Sequence, residues 1–153
     1  MKQKLLASFF AVLGIFLFSS ASLAQRNVTP AVDGDPVMEQ DAKHNLEVAA
    51  NYFKLKKAYK AVLMRFEETF AAYPDFSKID EFLYYAGMSS YYLSENIGKQ
   101  KIDQKLEKNK DKYARAKLKE NAVMYLSMIV DKYPESPYKG EAEKTLKLLK
   151  PEK

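Results

Sequence analysis

Residues 48–74 read VAANYFKLKKAYKAVLMRFEETFAAYP, and the spacing within and just ahead of this stretch decides the fold class. Leu46, Ala49, Ala50 and Phe53 recur at i, i+3, i+4 and i+7, which places them on one face of a helix over about 40–56. Val62, Phe66, Thr69 and Phe70 fall at i, i+4, i+7 and i+8, the same helical period, over about 58–72. Pro74 cannot continue the second helix, because proline lacks an amide hydrogen and its ring clashes with the preceding turn. Two apolar stripes joined by so short a link must fold against each other as an antiparallel hairpin.

The same ending returns at Tyr133-Pro134. Ahead of it, Asp80 and Glu81 put negative charge in the first turn of a helix over about 79–96, where the helix dipole favours it. That helix carries Leu83, Ala86, Gly87, Ser90 and Tyr91. A glycine inside a helix costs about 1 kcal/mol relative to alanine, so Gly87 predicts a close approach by a neighbouring helix. Asn96 and Gly98 supply an end signal. A further helix over about 108–132 has Ala122, Leu126, Ile129 and Val130 as its inner stripe, and a last one over about 138–149 has Ala142, Leu146 and Leu149. No run shows the period-2 alternation of a strand. The expectation is an all-α fold of two antiparallel hairpins, the second with a long insertion, closed by a C-terminal capping helix.

Residues 1–24 read as a signal peptide. Lys2 and Lys4 form a basic start, Leu5 to Phe18 a charge-free apolar run, and Ser22-Leu23-Ala24 a small-x-small cleavage site before Gln25. The run is short for a membrane span, which needs roughly 20 apolar residues, although an uncleaved N-terminal anchor is the alternative. The 153 residues contain no cysteine, which excludes disulfides, thiolate chemistry and an acylated cysteine after the cut. Residues 25–38, with Pro30, Gly34 and Pro36, read as a flexible linker, and 39–150 as the helical domain. The formal net charge of +5 is uneven. Between Lys99 and Lys119 nine lysines and arginines face only Asp103, Glu107 and Asp111, so the basic character describes one segment rather than the whole surface.

A tetratricopeptide repeat (TPR) is a helix hairpin of about 34 residues with small residues where helices cross, aromatics between them and a closing proline. Ala50, Phe53, Tyr59, Phe66 and Pro74 fall at those places, with Val62 where alanine is usual. Gly87 and Ala122 mark the corresponding crossings of the second unit, making Ala50, Gly87 and Ala122 the expected repeat-packing residues. The second unit is longer, because its Gly87 and Pro134 lie much further apart than Ala50 and Pro74. Residues 48–74, DEFLYYAGMSSYYL at 80–93 and IVDKYPESPYKGEAEKTLKLL at 129–149 together resemble the BamD (YfiO) family, the tetratricopeptide component of the outer-membrane β-barrel assembly machinery. The resemblance implies a helical scaffold of the cell envelope. Members of that family are usually lipoproteins with more repeats, so this chain looks like a short, non-lipidated relative.

Catalysis has little to stand on. His44 is the only histidine, and general-base work needs an oriented partner. Glu67-Glu68 and Asp80-Glu81 are adjacent pairs whose members point in different directions on a helix. No phosphate-binding glycine loop, HExxH pattern or nucleophile elbow is present. The expectation is therefore a non-enzymatic protein with no cofactor, no metal site and no nucleic-acid partner, exported to the periplasm and associated with the outer membrane.

By the repeat pattern Tyr84, Met88 and Tyr91 line an open groove, with Glu47, Asn51 and Lys54 at its polar end. Tyrosine and methionine suit adaptable protein recognition, so a partner protein or peptide, from the outer-membrane assembly components, is expected there. Two alternatives stay open. Lys105, Lys108, Lys112 and Arg115 could hold the chain against a membrane or an anionic envelope polymer, as a structural envelope protein, and Tyr-Pro-x-Ser endings also occur in TolA-binding cell-envelope adaptors.

Overall fold

The computed structural model describes residues 35–100, 102–103 and 110–149. The expected signal peptide lies outside them, as do residues 25–34 of the expected linker. The described residues form five helices and no strand: α1 (Pro36–Asn51), extended by a π-helical turn (Tyr52–Lys56), α2 (Tyr59–Ala72), α3 (Ile79–Ser94), α4 (Arg115–Lys132) and α5 (Lys139–Leu149). α1 starts at Pro36, earlier than expected, so the last three residues assigned to the linker are helical. The cause is local: Asp35 Oδ1 accepts the amide of Val37 at 2.9 Å, and proline at the first helical position gives up only an amide that has no partner there. α4 begins at Arg115, later than expected, after an uncapped start at Ala114.

Both Tyr-Pro endings act as read. α2 closes with Tyr73 donating its amide to Thr69 O at 2.7 Å, and α4 with Tyr133 donating to Ile129 O at 3.0 Å. Each tyrosine then swings to an extended φ, −147° and −126°, as the residue before a proline is driven to do. α1 packs on α2, α2 on α3, α3 on α4 and α4 on α5, with α3–α4 the most extensive pairing. This succession of hairpins is the TPR-like arrangement expected from the sequence.

The core runs along one stripe of each helix: Ala42, Leu46 and Ala49 on α1, Val62, Leu63 and Phe66 on α2, Phe82, Leu83, Tyr85 and Ala86 on α3, Leu118, Leu126 and Ile129 on α4. Gly87 is buried, and a Cβ placed on it would stand 2.7 Å from Cγ and Cδ2 of Leu126. The close approach that its sequence position predicted is present. Ala122 is fully buried. In the first hairpin the fully buried small residue is Ala49, and Ala50 is half-buried at the edge of the core. The stripe Ala42, Leu46, Ala49 sets this register, leaving Ala50 one position round the helix.

Polar contacts fasten the hairpins at their ends. Ser77, just after α2, donates its hydroxyl and its amide to the Glu39 carboxylate in the first turn of α1. Ser136, just after α4, donates its hydroxyl to Asp80 Oδ2 in the first turn of α3 at 2.6 Å. The chain leaving α3 folds back on the α1–α2 turn. Lys99 donates its amide to Lys57 O at 3.0 Å, and Gln100 Oε1 accepts the amide of Ala61 at 3.1 Å. α2 has no side-chain cap of its own at Ala58; the Ala61 amide is shared between Ala58 O at 3.0 Å and Gln100, 39 residues away, which supplements the first turn. Gly98 makes the return feasible. Its φ is +115°, and a Cβ there would meet the Tyr59 ring at 2.7 Å and Lys57 O at 3.0 Å.

Candidate partner-binding site

Seven aromatic rings meet where α1, α2, α3 and the start of α5 adjoin, with Tyr59 of α2 lying 5.5 Å from Phe53 and 4.9 Å from Tyr92. The π-helical turn places Phe53 with its ring centroid 5.0 Å from Tyr85, 6.1 Å from Tyr92 and 6.3 Å from Tyr84. Tyr84 stacks on Tyr138 at 4.7 Å, and Tyr91 lies 5.7 Å from Tyr92. Such offset and tilted pairs add about 0.5–1.5 kcal/mol beyond their area. Tyr85 is buried, while Phe53, Tyr84, Tyr91, Tyr92 and Tyr138 are half-buried and present part of each ring outward. Lys54, on the same turn as Phe53, holds its Nζ 5.3 Å from the centre of the Tyr85 ring.

Carboxylates border these rings. Tyr85 donates its hydroxyl to Glu81 Oε1 at 2.9 Å. Burial pushes the Tyr85 hydroxyl well above the usual tyrosine range, and the bond to Glu81 and its charge push it further. Burial does the same to Tyr138, with Glu81 again contributing. For Tyr84 burial comes first and the Glu141 carboxylate second; for Tyr92 it is burial, then Tyr91, then Glu141. Cations stand among these carboxylates too: Lys54 lies over the Tyr85 ring, and Lys144 pairs with Glu141 at 2.9 Å.

Of the residues expected in the groove, Tyr84 and Tyr91 are half-buried, and Glu47, Asn51 and Lys54 are exposed on α1. Met88 is not a groove residue. It is 7 % exposed, and its Sδ accepts the Thr145 hydroxyl at 3.4 Å, because α5 lies across that part of α3. Phe53, Tyr92 and Tyr138 take the open positions instead. Tyr138 sits in the turn ahead of α5, where no helical periodicity marks it; the Ser-Pro-Tyr that follows Tyr133-Pro134 was its only signal.

The basic candidates are differently placed. Lys112 pairs with Glu67 on α2. Arg115 reaches Glu95 at 3.0 Å and Lys119 reaches the same carboxylate at 2.9 Å. Lys119 and then Arg115 hold the Glu95 carboxyl below its ordinary range. Lys105 and Lys108 lie outside the described residues. Among the described residues no group of histidine, aspartate and glutamate is arranged to hold a metal ion, and no helix is long and apolar enough to cross a membrane.

The family model described as YfiO, outer membrane lipoprotein, matches residues 36–152, from the first residue of α1 to beyond the end of α5. The chain belongs to the YfiO family. Comparison with curated proteins and with solved structures returned no significant match. The YfiO match takes in both hairpins, the lengthened connection and the capping helix, so the aromatic rings all lie within the matched region.

Proposed function

We propose that this chain is a non-enzymatic scaffold of the cell envelope that docks a partner protein or peptide on the face carrying Phe53, Tyr84, Tyr91, Tyr92 and Tyr138, in the assembly of outer membrane proteins. The observation that carries this reading is the row of half-open aromatic rings on stacked hairpins in a member of the YfiO family. Rings held by their neighbours present large contact area with little side-chain freedom left to lose, which lowers the ordering cost of binding. Glu47, Asn51 and Lys54 form the polar margin. The family is one of outer membrane lipoproteins, whereas these 153 residues hold no cysteine for acyl chains. We therefore read the chain as a non-lipidated member, exported to the periplasm by its first 24 residues.

A photo-reactive residue at position 84 or 91, compared with one at Met124, tests this in intact envelopes. Met124 is exposed on α4. Adducts with outer-membrane assembly components at 84 and 91, absent at 124, are the expected outcome. Equal labelling at all three positions, or retained partner binding when Tyr84 and Tyr91 both become alanine, would move the site elsewhere.

A further inference from the structure

The tip of the first hairpin is basic and carries projecting apolar side chains. Leu55, in the π-helical turn, is 74 % exposed, more than any other large apolar residue among those described. Lys56 and Lys57 follow it, Lys57 in the left-handed region at φ +50°, and residues 52–66 contain no carboxylate. The chain leaving α3 comes to the same place: the Lys99 amide donates to Lys57 O at 3.0 Å, and Ile97, two residues earlier, is 46 % exposed. Lys56, Lys57 and Lys99 are exposed, and among the described residues none of the three meets a carboxylate. Lys56 lies over the Tyr52 ring at 4.9 Å, a contact that leaves its charge in place. The neighbouring charges do not cancel these three. Lys54 and Lys60 stand over the rings of Tyr85 and Tyr113, and Glu95 is already shared by Arg115 and Lys119. Glu67 is taken up by Lys112. Asp103 and Asp111, on the lengthened connection, are accompanied there by Lys110, and Glu47 lies two helical turns, about 12 Å, back along α1.

We propose that this tip is a peripheral contact for a bilayer surface bearing anionic phospholipids, with Leu55 and Ile97 entering the headgroup region and Lys56, Lys57 and Lys99 meeting the phosphates around them. A leucine that projects from a turn offers a folded partner little to close around, yet it reaches between headgroups readily. Lysine suits the rim, because its long apolar stem lies along the acyl boundary while the ammonium stays with water and phosphate. The affinity of such a surface is the sum of its apolar burial and its attraction to anionic lipid. The contact differs from one made through Lys112 and Arg115, which already have carboxylate partners. It uses none of the five open rings of the docking face, and so goes beyond that reading without resting on it.

The chain holds no cysteine, so Leu55→Cys, Ile97→Cys and, as control on α4, Met124→Cys each carry one polarity-sensitive fluorophore in the full chain. Vesicles are of phosphatidylcholine alone or mixed with phosphatidylglycerol. Labels at 55 and 97 should shift to the blue on the mixed vesicles and be quenched by brominated acyl chains, while the label at 124 stays in water and so reports any tethering through another part of the chain. On phosphatidylcholine alone, or at high salt, the shift should be lost. Each lysine near an anionic surface is worth about fivefold, so Lys57→Gln with Lys99→Gln should raise the lipid concentration at half-shift about twentyfold. Labels at 55 and 97 that remain in water on the mixed vesicles overturn the proposal. Equal shifts at all three positions, equal shifts on neutral vesicles, or an unchanged half-shift in the double glutamine variant overturn it as well. A label at 55 that ignores vesicles but responds to polyglutamate would assign the tip to an acidic protein instead. None of these outcomes touches the docking face, since Tyr84 and Tyr91 enter no measurement. Circular dichroism of each variant establishes that it is folded.

Discussion

Gly87→Ala is the sharpest perturbation of this fold, because two terms of opposite sign meet at one methyl group. Alanine is favoured over glycine in a helix interior by about 1 kcal/mol. Against this, the new Cβ would stand 2.7 Å from Leu126 Cγ and Cδ2, and overpacking a core typically costs about 1–3 kcal/mol. Leu126 is fully buried, and its Cγ is the branch point of the side chain, so turning the tip aside does not relieve the contact. α3 and α4 must move apart, which places the cost in the upper part of that range and leaves a net loss of about 1–2 kcal/mol. Gly140→Ala is the internal control. Nothing lies within 4 Å of its added Cβ, so only the propensity gain of up to about 1 kcal/mol remains. Leu126→Ala alone should cost about 2–5 kcal/mol, and less in the Gly87→Ala background, where the new methyl fills part of the cavity, by a coupling of about 1 kcal/mol. Urea unfolding followed by circular dichroism reads all four variants, provided the slope m stays constant. A Gly87→Ala protein as stable as Gly140→Ala, or losses that simply add to those of Leu126→Ala, would refute the close helix crossing.

Three further outcomes follow from the polar contacts and the buried hydroxyls. Burial raises the hydroxyls of Tyr59, Tyr85, Tyr113, Tyr125 and Tyr138 above the unfolded value of about 10; their contribution to stability is therefore intact below that pH and lost as pH rises through the folded values. Absorbance at 295 nm should lag behind that of free tyrosine and then rise together with loss of helix, whereas titration centred near 10 with the helices intact would contradict it. Gln100→Ala should cost up to about 1 kcal/mol in urea unfolding, because the Ala61 amide keeps its bond to Ala58 O, and modestly faster hydrogen exchange at that amide should identify the cause; an unchanged amide would show that the shared bond is not made. Ser136→Ala leaves Asp80 without its 2.6 Å donor and should also lose about 1–2 kcal/mol, while a neutral result would mean that water replaces the hydroxyl without loss.

Much of this was legible in residue spacing. The proline stops, the stripes over α2, α3 and α4 and the crossing at Gly87 depend on local chemistry that one sequence carries, and the structure shows them where that chemistry put them. The start of α1 was misread because Pro36 counts as a breaker in isolation, yet becomes a helix starter once Asp35 caps it. Met88 was misassigned for another reason: whether a position on α3 is open depends on α5, which the spacing within α3 cannot report. Tyr138 was invisible as a site residue because it belongs to a turn, and the role of Gln100 because its partner lies on another hairpin. Helices were readable, in short, wherever the determinants were neighbours in the chain, and the binding face was only partly so because three separate elements assemble it.

The lengthened connection between α3 and α4 carries a thermodynamic consequence. Closing a flexible loop grows harder only with the logarithm of its length, so joining two helices through residues 95–114 rather than through a link like 73–78 adds roughly 1 kcal/mol. That increment falls on the most extensive helix pairing of the fold, whose apolar burial outweighs it readily. Length as such is therefore a small constraint on this connection, and its tolerance of change is limited instead by Gly98, Gln100 and Lys112, which hold its two ends against the first hairpin.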